Sequence, residues 1–268
     1  MTGRLGLRAV AVALVVATGG MLPACAKKPS IVPTGILEAD KFLYQRGQEM
    51  LGKKRWAPAR EYFRKIVDDY PQSTYRPDAK LGLGDAYLGE DTAESLVYAQ
   101  NEFKEFLTFF PTHNRADYAQ YRLALTHFNQ MASADRDQLE TRQALVEFGV
   151  FAARFPNSPL LDQARAKIRA TRDRLSLSDY KVGFFYWRVK WYPGAIERFK
   201  AVVNSDPEYP LRDMVYFHLA DSFVKVGNKA AALPYYDRLI QEFEKSQYLA
   251  PAKAAAAKIK AEMAKAMK

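Results

Sequence analysis

The chain has 268 residues, 49% of them hydrophobic and 13% aromatic, which is ample for a sizeable core. Its formal charge of +10 admits nucleic acid, anionic lipid or an acidic protein as partner, and excludes none of these until the compartment is known. It has a single cysteine, Cys25, so no intrachain disulfide can form and packing must stabilise the body.

The first 24 residues read as an export leader. Arg4 and Arg8 precede an apolar run from Ala9 to Ala17, followed by Leu22, Pro23 and Ala24 ahead of Cys25. A run this short is too brief to span a membrane as a mature helix. The small residue before a cysteine resembles a bacterial lipobox, which implies acylation of Cys25 and a lipid-anchored body; an ordinary cleaved leader with a leftover cysteine is the alternative. Two or three acyl chains, at about 0.8 kcal/mol per buried methylene, hold a protein on a membrane almost irreversibly. Ala26, not Asp, follows the cysteine, and by analogy with lipoproteins of enteric bacteria this points to the outer membrane. Export also removes nucleic acid as a partner. Residues 25–38 are the acylated cysteine and a flexible linker with Lys27, Lys28, Pro29, Pro33 and Gly35, reaching up to about 45 Å when extended.

From residue 39 the chain repeats. Ala59 to Pro71, Ala99 to Pro111, Ala144 to Pro156 and Ala195 to Pro207 are the same distance apart. Each alanine is followed four residues later by an aromatic, at Phe63, Phe103, Phe148 and Phe199, and a fifth set has Ala232 and Tyr236 with Glu244 in place of the proline. A small residue precedes each set: Gly47, Gly84, Ala124, Gly183 and Ala220. This resembles the tetratricopeptide repeat, in which two helices pack so closely that small residues are needed and a proline stops the second helix. The predicted fold is all-α: a solenoid of five helical hairpins plus a C-terminal capping helix.

In chain order, the first unit spans about 39–71, with Phe42, Leu43, Met50, Phe63, Ile66 and Tyr70 on buried stripes. The second has surplus residues, assigned to an enlarged turn near Glu90 to Glu94. The third has a larger surplus around Met131 to Gln138, expected as an exposed loop or helix extension. From Leu161 a three-and-four spacing through Ala164, Ile168, Leu175, Val182 and Phe185 predicts one long helix over about 160–190, near 45 Å, with two helices broken near Ser176 or Ser178 as the alternative. That helix divides the body into residues 39–159, with units one to three, and 160–268, with units four and five and the cap. The cap begins at Pro251, with Ile259, Met263 and Met267 on one face.

Beyond the repeat, several strings are similar to the BamD family of outer-membrane lipoproteins of the β-barrel assembly machinery. They are Phe110-Pro111-Thr112-His113-Asn114 with Asp117-Tyr118, Arg136-Asp137 before Arg142-Gln143-Ala144, Phe155-Pro156-Asn157-Ser158, Arg172-Asp173-Arg174-Leu175, and Tyr186 ahead of Tyr192. The resemblance implies a non-catalytic scaffold on the inner leaflet of the outer membrane, without cofactors. It would bind a BamA-type barrel protein through its POTRA domains, together with other assembly lipoproteins and unfolded outer-membrane proteins. It also implies that Arg198, one residue before Phe199 and pointing off the buried stripe, meets an acidic surface of the barrel partner. An N-terminal groove for clients would be lined by Tyr44 and Tyr75; Trp56, Tyr62 and Tyr87 fit core positions better. An envelope lipoprotein of peptidoglycan or division complexes is the competing class.

No phosphate loop, zinc-ligand spacing or nucleophile elbow is legible. Gly82 and Gly84 fall inside a helix. His113, His127 and His218 are scattered, and His127 fills the aromatic slot of the third unit, so no metal is expected.

Overall fold

The computed structural model describes residues 31–33 and 35–266. The leader, Cys25, Lys27, Lys28 and Met267 lie outside the described residues. Eleven helices and no strand occur among them: α1 (Ala39–Gly52), α2 (Trp56–Asp69), α3 (Arg76–Glu90), α4 (Ala93–Phe109), α5 (Ala116–Asn129), α6 (Leu139–Arg154), α7 (Leu161–Arg188), α8 (Tyr192–Ser205), α9 (Arg212–Lys225), α10 (Lys229–Glu242) and α11 (Leu249–Ala266). Successive helices pack antiparallel as five hairpins and a cap.

The small slots explain how close these helices come. A β-carbon on Gly47 or Gly82 would stand 2.5 Å from the Phe63 ring, so that ring is held between α1 and α3. Gly84 meets Phe103 in the same way, and Gly183 meets Phe199. Gly82 is thus a second small slot serving the preceding unit, beyond the five in the repeat pattern. Each aromatic of the set, from Phe63 to Tyr236, is essentially inaccessible.

A second recurrent device fixes each unit to the turn that follows it. Ser73 Oγ donates to Asp40, Ser158 Oγ to Asp117 and Ser246 Oγ to Asp213, each at 2.6 Å. The same serine oxygens accept the backbone N–H of Tyr75, Leu160 and Tyr248. Each clamp joins the start of a unit's first helix to the turn after its second, satisfying turn donors that helix ends leave over. In the fifth unit this clamp is present where proline is missing, and α10 still ends at Glu242.

Helix α7 belongs to two cores. Ala164 and Ile168 pack with Tyr121, Phe148 and Phe151 of the third unit. Leu177, Tyr180, Phe184 and Trp187 pack into the cluster that fills both C-terminal hairpins and the cap. Between them, Asp206 of the α8–α9 turn is buried. It accepts from both Arg169 terminal nitrogens and from Ser176 Oγ at 2.8 Å. Burial pushes this carboxyl upward, but Arg169 and Ser176 outweigh it and hold it below the usual carboxylate range.

Five readings of the sequence are corrected. The surplus of the second unit does not enlarge the turn, which is only Asp91 and Thr92; it adds a turn of helix to the start of α4. Asp91 takes a left-handed φ of 56° and Thr92 caps α4, its Oγ1 accepting from Ser95 N–H. The 131–138 segment is docked, not fully exposed: Ala134 and Gln138 are buried, and Arg174 on α7 donates to the Ala132 carbonyl at 2.5 Å. The linker is not free to its end, since Ile31 and Val32 pack on the first unit. Phe185 leaves the buried stripe and is 58% exposed. The cap begins at Leu249, two residues before Pro251, and its buried face is Ala252, Ala256 and Ile259, with Met263 exposed.

Candidate functional site

Four successive aromatics, Phe184 to Trp187, sit on α7 where residues advance by about 100° each. They cannot all face one core. Phe184 and Trp187 turn inward and stack at 5.5 Å. Tyr186 faces α8 and meets the edge of Trp191 at 4.6 Å. Phe185 is left outward. With Val189 one turn on, 55% exposed, and Trp191, 53% exposed, it makes an apolar strip along the end of α7 and the α7–α8 turn.

The physical reason lies in the length of α7. Its first half covers the third unit, but its second half runs on beyond α6, and past the 131–138 segment, where Asp135 meets Lys181 at 3.5 Å, no described helix covers that side. Neither Val182 nor Phe185 belongs to either core. The turn itself is fixed: Lys190 takes a φ of 63°, and Trp191 N–H donates to the Tyr186 carbonyl at 2.9 Å. Gly194 allows Trp191 to lie flat against α8, since a β-carbon there would stand 2.5 Å from the indole.

Arg198 borders this strip. It is exposed on α8, and its Cβ stands 3.2 Å from where a Gly183 side chain would begin, next to Val182 on α7. Its ion-pair partner is Asp179 on α7, at 3.7 Å between two half-exposed side chains. Such a pair contributes little and leaves guanidinium donors free for a partner. Arg188 and Lys190 are exposed around the same strip. The face therefore combines large exposed apolar side chains with positive charge.

Tyr44 and Tyr75 do come together. Their rings stack at 5.0 Å, and both are half-buried on the first unit. Burial pushes the Tyr44 hydroxyl up, with Asp78 acting in the same direction and Arg115 against it. From here a polar ladder runs along α3 and α5. Arg115 donates to Asp78 at 2.9 Å and lies over the Tyr118 ring. Tyr118 Oη donates to Asp85 at 2.8 Å, and Arg122 Nε donates to the other Asp85 oxygen at 2.7 Å. Burial drives the Asp85 carboxyl up, against the pull of Arg122 and Tyr118.

Of the named residues, the structure pairs Tyr44 with Tyr75 and sets Arg198 apart on the far half of the molecule. Tyr87 is buried beneath Arg60, and Trp56 packs on Gly89. His127 is buried, its Nδ1 2.7 Å from Glu140. No group of three His, Cys, Asp or Glu residues that could hold a metal occurs among the described residues, and no described helix is long and apolar enough to cross a membrane. The sequence reading missed Val189 and Trp191 as exposed apolar residues, and with them the ladder. The signals were present: four aromatics in a row, and Asp78 with Asp85, and Arg115 with Arg122, each seven residues apart and so on one helix face.

Fold and surface together define a tetratricopeptide-type solenoid with an exposed basic and apolar face. Residues 38–233 match the YfiO family of outer membrane lipoproteins. Similar chains include the outer membrane protein assembly factor BamD of Caulobacter vibrioides, 30% identical over 219 residues that cover 81% of this chain and 70% of that one. The BamD proteins of Vibrio cholerae (27% identical, 70% and 80% covered) and Neisseria meningitidis serogroup A (25% identical, 88% and 92% covered) are also similar. The chain belongs to the YfiO, or BamD, family.

Proposed function

We propose that this chain is a non-catalytic assembly factor for outer-membrane proteins, anchored by lipid on Cys25 to the outer membrane with its body in the periplasm. The observation that carries the reading is the α7–α8 face: Phe185, Val189 and Trp191 exposed together beside Arg198. That face suits an acidic, partly apolar surface on the POTRA domains of a BamA-type barrel protein. The apolar strip supplies buried area, and Arg198 supplies directional hydrogen bonds to a carboxylate. Unfolded client segments are assigned to the Tyr44–Tyr75 stack. Family membership supports the assembly role.

The test is binding of the purified POTRA domains of the barrel protein from the same cell to the leaderless body. Phe185→Glu and Arg198→Glu should each weaken it by about ten-fold or more and leave the helical circular dichroism unchanged, since both side chains are exposed. Undiminished binding by both variants removes this face from the interface.

A further inference from the structure

The C-terminal half carries a second surface of opposite character. Two cavities, of about 390 and 590 Å³, adjoin at the α8–α9 turn and share Pro210 and Leu211. The first reaches α7 at Leu177 and Asp173, and the second reaches the α10–α11 turn at Phe243 and Glu244. Together they form one groove whose floor is apolar and whose central side chain, Leu211, is 49% exposed.

Its walls are acidic on a chain whose formal charge is +10. Asp173, Asp213, Glu242 and Glu244 line it. Two cations line it against these four carboxylates: Arg174, which also donates to the Ala132 carbonyl, and Lys245. Asp173 is paired with Arg169 at 2.7 Å, Asp213 accepts from Ser246 and Glu242 meets Arg212 at 3.4 Å, while Glu244 is exposed.

Hydrogen bonding marks the same place. Among the described residues, the buried side-chain polar atoms without a partner are Tyr209 Oη and Arg212 Nε, which flank Leu211 in sequence. Buried polar groups are nearly always paired, which sets this junction apart. The corresponding groove of the third unit, about 380 Å³ between the α4–α5 and α6–α7 turns, differs in both respects. There Asp117 is bonded to Ser158, Arg154 to the Pro111 carbonyl, and His113 Nδ1 accepts from Arg115 N–H. The unsatisfied atoms and the excess of carboxylates are therefore not general properties of the repeat edge.

We infer that the groove across Leu177, Leu211 and Phe243 binds an extended segment of a partner protein that carries lysine or arginine among apolar residues. The apolar side chains would lie on Leu211 and its neighbours, and the cations would meet Asp213 and Glu244. This surface selects a basic segment, whereas the α7–α8 face selects an acidic one, so the two can be occupied by different partners.

The probe is a fluorescein-labelled peptide, Gly-Lys-Leu-Lys-Pro-Leu-Lys-Gly, and its counterpart with Glu for Lys, titrated by anisotropy against the leaderless body. The lysine peptide should bind saturably and the glutamate peptide should not. Leu211→Lys and Glu244→Lys, both at exposed positions, should each weaken binding by about ten-fold, with unchanged circular dichroism. Arg198→Glu should leave it intact, which separates this outcome from the POTRA test. No binding, equal binding of both peptides, or full binding by both groove variants overturns the inference.

Discussion

Gly82→Ala is the sharpest test of how the hairpins pack, because helix propensity and sterics predict opposite signs. In an open helix the change is worth about 0.5–1 kcal/mol of added stability. Here the new methyl group would stand 2.5 Å from Phe63 Cε2 and 2.6 Å from Cζ, against about 3.5–4.0 Å for a carbon contact. The ring must move by about 1 Å. It cannot move freely, because its other edge lies against Gly47, where a β-carbon would likewise stand 2.5 Å away, and the residue is fully buried. Overpacking of this kind costs about 1–3 kcal/mol, leaving a net change between about zero and a loss of about 2.5 kcal/mol. Gly149→Ala is the control: that glycine lies in α6 with nothing within 4 Å of an added β-carbon, so it should gain the propensity term alone. Adding Phe63→Leu to Gly82→Ala should cost less than the sum of the single changes, since the methyl group then has room. Urea unfolding of the leaderless body, followed by far-ultraviolet circular dichroism, reads all four variants. An equal rise in midpoint for Gly82→Ala and Gly149→Ala would refute the reasoning.

Cys25→Ala should give a folded protein that no longer sediments with membranes after a high-salt wash; continued sedimentation would show that acyl chains are not what holds it. Arg169→Met should destabilise the body by about 3–5 kcal/mol, because Asp206 stays buried without its cation, as read by urea midpoint at neutral pH. The pH dependence has a definite sign. Asp206 is held below its ordinary value of 3.8, so its contribution is present above about pH 4 and is lost as pH falls through the lowered folded value. The gap between wild type and Arg169→Met should therefore shrink below pH 4, and a constant gap contradicts the lock. Tyr44→Ala with Tyr75→Ala should weaken binding of unfolded outer-membrane protein segments and spare POTRA binding, measured side by side on the same preparation.

Much of the fold was legible because the repeat is a steric code. A glycine or alanine facing an aromatic specifies a helix–helix distance, and Gly47, Gly84, Gly183 and their aromatics fell where that code requires. Spacing also placed the long helix at 160–190, against the observed Leu161–Arg188. What spacing could not show was which stripe of that helix has a neighbour. Phe185 keeps the period of a buried residue, yet α6 ends before reaching it, and this is a tertiary fact. In the same way, a surplus of residues in the second unit can lengthen a turn or a helix, and Thr92 as a cap, with Ser95 bonding back to it, decided for the helix. The docked 131–138 segment depended on Arg174, forty-two residues from Ala132. The Asp–Ser clamps and the Asp78–Arg122 ladder are written in ordinary polar residues, whose meaning appears only when the helices lie side by side.

The central claim is that this solenoid works by holding a barrel-forming partner. The most direct measurement is mild-detergent extraction of a C-terminally tagged copy from its own membranes, affinity isolation, and quantitative mass spectrometry of the proteins that remain bound. The account predicts a POTRA-bearing barrel protein in near-equal amount, lost from the Phe185→Glu and Arg198→Glu copies. Recovery of murein-linked or division proteins without any barrel protein would contradict it.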